Sequence, residues 1–391
     1  MIREILYACC RGFLGVFVFF YSACSGPKGR IHEDVPAPAA VGEILIDTLF
    51  ISPVQSSQNG FFRVFGDNIY YVDQLYGFIE AFDPSGTSLG VKKRLLDGPD
   101  ELQGISELLE TSEGFLIRHE WFFYRYDRQW GFLGRSALNF PLTVSYDEML
   151  DRPKGEFVGM YELQSYNAKT ISLPDGHLAT KIDVEHPIFN AFTTREFYTD
   201  SRILGLVNPQ SGKVSQIIGT RPVSYGKYRF VPFHIFMDYH WTAKNEIFVT
   251  YEVDSMIYVY DSDWKLKNSF GRSGKNMLTD YEETQNLEVA FEGSKFSHSR
   301  NHEGYYKDIY VDEKGGLVFR TYRQGVRGVK LWNEFENPLR LQIYKNDQLL
   351  GDFEVPGRFR ILTGESGRYW ADGFYDEKTG RQGIYVMTLK M

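Results

Sequence analysis

The sequence predicts an all-β fold, a six-bladed β-propeller of four-stranded antiparallel blades. Three observations predict it: a recurring strand-and-turn unit, an unpaired strand near the N-terminus, and a composition biased toward sheet. The chain of 391 residues holds 26 Tyr and 31 Phe, residues that suit pleated, half-buried surfaces, and its 37 Gly are scattered as turn residues. Beyond the N-terminus no segment carries a long amphipathic helical period. Length alone allows two or three domains, or one large all-β domain.

The first 23 residues read as a lipoprotein signal peptide. Arg3 and Arg11 precede an apolar run from Phe13 to Tyr21, and small Ser22 and Ala23 lead to Cys24. The run is too short for the roughly 20 residues that span a bilayer. "YSACSG" resembles the lipobox of bacterial lipoproteins, which implies lipidation at Cys24, although Tyr21 stands where the family carries Leu. Cleavage would leave no other thiol, so disulfides, a Cys nucleophile and Cys-ligated zinc are excluded from the mature chain. Residues 24–41 are the lipidated Cys and a flexible tether rich in Pro, Gly and Ala, and 42–391 form the propeller domain. The expected location is the cell envelope, lipid-anchored in the outer membrane and facing the periplasm, with surface exposure an alternative.

The propeller begins with "GEILIDTLF", Gly42 to Phe50, an apolar strand with nothing local to pair with. Blade one follows in "NIYYVDQLYGFIEAFDPSGTSLG", Asn68 to Gly90: an apolar strand, a short break, a second strand ending in Asp, a Gly turn and a third strand. "NEIFVTYEVDSMIYVYDSDWKLKNSFG" from Asn245 repeats this order closely, and "EGFLIRHEWFFYRYDRQWGFLG" from Glu113 is a shorter copy. Two copies carry insertions, from Gly176 and from Gly315, and the last, from Gly367, stops after its third strand. A short apolar strand and a tight turn precede each copy, with turns near Asp67, Gly114, Gly176, Asn245, Gly315 and Gly367. Their spacings are 47, 62, 69, 70 and 52 residues. Six such units make a propeller, and the orphan strand completes the sixth blade by pairing with Gly383 to Leu389. A seventh blade is the alternative if Leu142 to Gln164 hides a divergent copy.

The Tyr-Val-x-Asp, apolar strand, Asp-x-x-Gly order of blade one resembles an NHL-type repeat. From Gly42 to Met391 the chain is similar to the six-bladed, NHL-like propeller lipoproteins of Gram-negative bacteria, largely of unassigned function. NHL relatives include lyases, lactonases and pure binding scaffolds, so the resemblance implies a fold and leaves the activity open.

Blade topology puts the loops between second and third strands, and between blades, on one face. All five long connections fall there: 135–168, 183–201, 219–233, 272–305 and 323–338. Insertions gathered on one face mark a binding face. Two stretches of that face, 219–234 and 320–332, are basic and free of acid in a chain of formal charge −8, or −9 once Arg3, Glu4 and Arg11 are removed. The expectation is an acidic ligand, a saccharide or a protein partner, gripped by Arg221, Arg229, Arg323 and Arg327, stacked on Tyr225 and Trp332, with His234 and His302 at the floor. The acidic balance argues against nucleic acid.

Catalytic signals are weaker. There is no HExxH, no metal-ligand spacing, no Gly-x-Ser-x-Gly elbow and no phosphate loop, so neither a metal nor a cofactor is expected. Asp73, Asp83, Asp261 and Asp312 stand at strand ends, where Asp caps turns through its own backbone. The sequence therefore favours a non-catalytic binding or scaffold lipoprotein, with a lyase or hydrolase of acidic polysaccharides as the alternative. It says nothing of oligomeric state.

Overall fold

The computed structural model describes residues 42–95, 102–376 and 378–390. The expected signal peptide, Cys24 and the expected tether lie outside the described residues. Six antiparallel sheets follow one another around a channel, spanning 60–94, 107–137, 161–218, 237–270, 305–355 and 360–390. Each runs from an inner first strand to an outer fourth strand. The last takes its fourth strand from the N-terminus: Glu43–Ile51 pairs with Arg381–Lys390, in register from Glu43 opposite Lys390 to Ile51 opposite Gln382. The expected ring and its closure are both present.

The blades pack because their middle strands are apolar on both faces. Successive side chains of a strand point to opposite sides. In Asn68–Asp73, Ile69 and Tyr71 pack with Ile51 and Ile384 of blade six, while Tyr70 and Val72 pack with Leu108 and Phe115 of blade two. The same arrangement recurs around the ring, giving six separate apolar clusters, one between each pair of neighbours. The third and fourth strands carry a register shift in each of the first five blades, as at Val259/Tyr260. Such bulges add twist, which lets the outer strands splay from the ring.

Strand-end acids do what their position suggests. Asp83 Oδ1 accepts from the backbone N–H of Ser85 and Thr87, and Asp261 Oδ1 from Asp263 and Lys265. Asp73 and Asp312 likewise receive the backbone N–H groups of the turns after them. The stretch 142–164 is not a seventh blade. It forms the helix Tyr146–Asp151, a 3-10 turn and the strand Tyr161–Leu163, which adds a fifth strand to blade three.

Candidate functional site: the charged channel

Each blade contributes one charged residue to a ring in the channel. They are Arg63, Glu107, Lys169, Asp238, Asp308 and Arg360, all on or immediately before a first strand. They line a cavity of about 360 Å³. The other lining residues, among them Phe65, Leu109, Ser172, His240, Tyr310 and Leu362, lie toward the tight first turns and are half-buried. The cavity thus occupies the half of the channel facing those turns, opposite the long connections.

Partners within the ring are unevenly shared. Asp238 lies 2.9 Å from both Lys169 and Lys181 and accepts from the Ile309 N–H. Burial opposes its charge, but the two lysines and Arg360 outweigh burial and hold its carboxyl well below the usual range. Glu107 pairs with Arg118 at 2.6 Å and accepts twice from Thr170. It too stays below the usual carboxylate range, with Arg118 and Thr170 overcoming burial. Arg360 Nε lies 3.7 Å from Asp308 Oδ1, an oxygen with no hydrogen bond among the described residues. Arg63 is the least matched cation: among the described residues its side chain donates only to the Phe62 carbonyl, at 2.9 Å. Burial and the nearby Arg360 push its guanidinium down to about 10. His240, edge-on to Tyr310, is pushed down to about 3 by burial and then by Lys169. It is neutral at physiological pH.

The face bearing the long connections is closed over the channel. Arg300, on the helix Gly293–His302, is 2 % exposed, donates to Glu252 at 2.6 Å, and lies 3.4 Å above the Tyr305 ring. Glu334, from another connection, accepts from Tyr166, Tyr305 and Lys307. Burial opposes its charge, yet Lys307 and Arg300 hold it down to about 2. A smaller cleft of about 190 Å³, beside Phe335 and Arg358 on this face, reaches toward Asp372 between blades one and six.

Most residues expected to grip a ligand on that face are occupied within the fold. Arg323 is wholly buried and donates to the carbonyls of Asn337 and Gly357. Arg221 is buried against Phe197 and donates to the Ile235 carbonyl and Ser201 Oγ. Tyr225 is 1 % exposed, its hydroxyl on the His234 carbonyl. Arg327 is exposed and paired with Asp280. Arg229 and Trp332, the latter 74 % exposed beneath Lys330, also stand in solvent. His302 stacks on His298 one helical turn away and contacts the Val329 carbonyl. His234 is 1 % exposed; Glu303 Oε2 accepts from its Nε2 and from Ser299 Oγ, and Arg300 approaches its Nδ1 at 3.3 Å. Serine and carboxylate share one ring nitrogen, so this is no relay for activating Ser299. It fastens the helix to the ring.

The charged ring itself escaped the sequence reading, and a signal for it exists. Glu107, Lys169, Asp238, Asp308 and Arg360 each stand seven residues before a predicted turn residue. A charge at one fixed place in otherwise apolar first strands marks a shared layer of the channel.

No protein-family model matches the chain, and no curated protein matches it in sequence. The fold and channel define a six-bladed propeller, and solved structures agree. A member of the DUF4221 family from Bacteroides vulgatus ATCC 8482 superposes with a TM-score of 0.62 at 12 % identity, covering 91 % of this chain and 98 % of the other. A protein of Bacteroides fragilis NCTC 9343, assigned as exported, gives 0.51 at 12 % identity, covering 92 % and 98 %. An aldose sugar dehydrogenase from Streptomyces coelicolor reaches only 0.43 at 13 % identity, covering 90 % and 100 %. At such identities the first two likenesses show the fold alone. No helix among the described residues is long and apolar enough to cross a membrane.

Proposed function

We propose that the chain is a lipid-anchored cell-envelope binding protein, without a reaction of its own, that holds an acidic ligand in the channel cavity. The observation behind this is Arg63, a cation with no carboxylate within ion-pair distance among the described residues, set beside a second arginine in the cavity. Paired guanidinium forks suit carboxylate, sulfate or phosphate, and a cavity shields the attraction from salt. The cavity volume favours a saccharide-sized acid over a protein partner. General acid catalysis needs a group that still carries its proton near neutral pH. Glu107 and Asp238 are both held ionised, so neither supplies the general acid that the hydrolase alternative needs.

A thermal-shift screen of acidic and neutral saccharides tests this reading. Acidic ligands should raise Tm in the wild type and much less in Arg63→Gln. Neutral saccharides stabilising best, or acids acting equally on Arg63→Gln, would overturn it. Anchoring rests on Cys24, and Cys24→Ser should move the protein from the membrane to the soluble fraction. Mass spectrometry finding Met1 intact on the membrane-bound wild type refutes the anchor. The outer membrane, facing the periplasm, is the proposed site.

A further inference from the structure

We infer that the acid held in this cavity is a hydroxylated carboxylate of the sugar-acid type. Its carboxylate would lie on Arg63 and Arg360, and one of its hydroxyls would donate to Asp308 Oδ1. This rests on the reading of the cavity as an anion site.

Asp308 carries the first step. It is 8 % exposed, and its two oxygens are treated differently. Oδ2 accepts from Thr321 Oγ1 at 3.1 Å, while Oδ1 has no hydrogen bond among the described residues. A buried carboxyl oxygen shut away from donors is costly, so this atom favours any ligand that brings one. Its nearest cation, Arg360 Nε, is 3.7 Å away. The anion site and the acceptor are therefore neighbours. One small molecule reaches both only if its acid and donor sit on the same or adjacent carbons.

Charge decides which donor. Arg63, Lys169 and Arg360 line the cavity with Glu107, Asp238 and Asp308, and Arg118, Lys181 and Asp372 adjoin them, five cations with four carboxylates, of which burial opposes the charge of Asp372. Glu110, which also lines the cavity, is matched outside it by Arg128. A ligand of charge −1 balances the excess. A hydroxy acid has that charge, whereas an amino acid adds an ammonium and cancels it.

The walls add the third step. Above the ring toward the tight turns, Phe65, Leu109, Tyr310 and Leu362 replace charge with apolar surface. Polar groups at one end and carbon at the other suit a pyranose ring, whose C–H face packs on such walls. Entry is from the turn side, because Arg300 and Glu334 close the other.

Titration calorimetry at low salt with glucuronate, galacturonate, glucose, cyclohexanecarboxylate and serine tests the inference. On the wild type, a hexuronate should bind at least about tenfold more tightly than cyclohexanecarboxylate, the gain of one hydrogen bond to a charged acceptor. Asp308→Asn should remove that advantage, and Arg63→Gln should weaken both acids. Thermal melts check that each variant folds, and the comparison of ligands on the wild type needs no variant. Cyclohexanecarboxylate binding as tightly as hexuronate overturns the hydroxyl contact while leaving the anion site standing. Serine binding better than either hexuronate also overturns it, since the donor would then be an ammonium. If neither acid binds, or Arg63→Gln changes nothing, the anion site falls too.

Discussion

Arginine reads the same in a sequence whether it grips a ligand or a loop. Its planar guanidinium offers five donors, enough to satisfy several backbone carbonyls where a connection folds over a blade. Arg323 does this for Asn337 and Gly357, so its removal strands two buried acceptors. Arg323→Ala should cost about 3 kcal/mol in chemical denaturation, and Arg323→Lys should not restore it, because an ammonium lacks the fork. Arg229→Ala, at an exposed position, should fall within about 0.5 kcal/mol of wild type. Equal, small losses at both sites would show that burial has been misjudged. Spacing made these residues visible as cations, yet burial is a property of the ring, which residue patterns alone do not carry. A second residue-scale test is Glu162. Burial, and then Glu185 beside it, push its carboxyl up to about 7. The folded state therefore holds a proton that the unfolded chain releases at ordinary acid values. The resulting stability is present in acid and is lost as pH rises from the usual Glu range through 7. Glu162→Gln should raise Tm more at about pH 8 than at about pH 4.5, and a difference that is flat with pH would contradict the sign.

At the scale of the element, the blades were legible because strand alternation and turn chemistry are local. Asn245 has φ +59° and Gly176 φ +86°, both at turn positions inferred from the sequence. The connections were legible in position but not in their packing, since what they pack against is distant in the chain. The closing strand shows how local and distant requirements meet. A Cβ at Gly383 would come within 2.2 Å of the Leu49 carbonyl oxygen, across the pair that shuts the ring. Gly383→Ala must push the N-terminal strand away. It should destabilise by about 1–3 kcal/mol, as overpacked cores do, read as a lower denaturation midpoint. The variant melting with wild type would mean that the two strands have slack to give.

The whole molecule is a ring in which each blade covers its neighbours, so the apolar face of one is left bare if the ring opens. Six clusters of similar kind depend on closure, and the joint is made by residues 43–51 and 381–390, far apart in the chain. Ile44 and Ile46 pack into the cluster between blades five and six, and Ile51 into that between six and one. Removing the segment thus uncovers two interfaces and the unpaired backbone of Arg381–Lys390, an edge that would seek another strand. A chain starting at residue 42 keeps the whole closing strand and should unfold cooperatively as a monomer. A chain starting at residue 52 should lose cooperative unfolding and self-associate in sedimentation. Supplying residues 43–51 as a separate peptide should restore the monomer and raise Tm with the logarithm of its concentration, since binding adds to the stability of the closed ring alone. If the shorter chain melts cooperatively at the same temperature and stays monomeric, the blades hold one another without the joint. The N-terminal strand would then be an ornament on blade six rather than its fourth member.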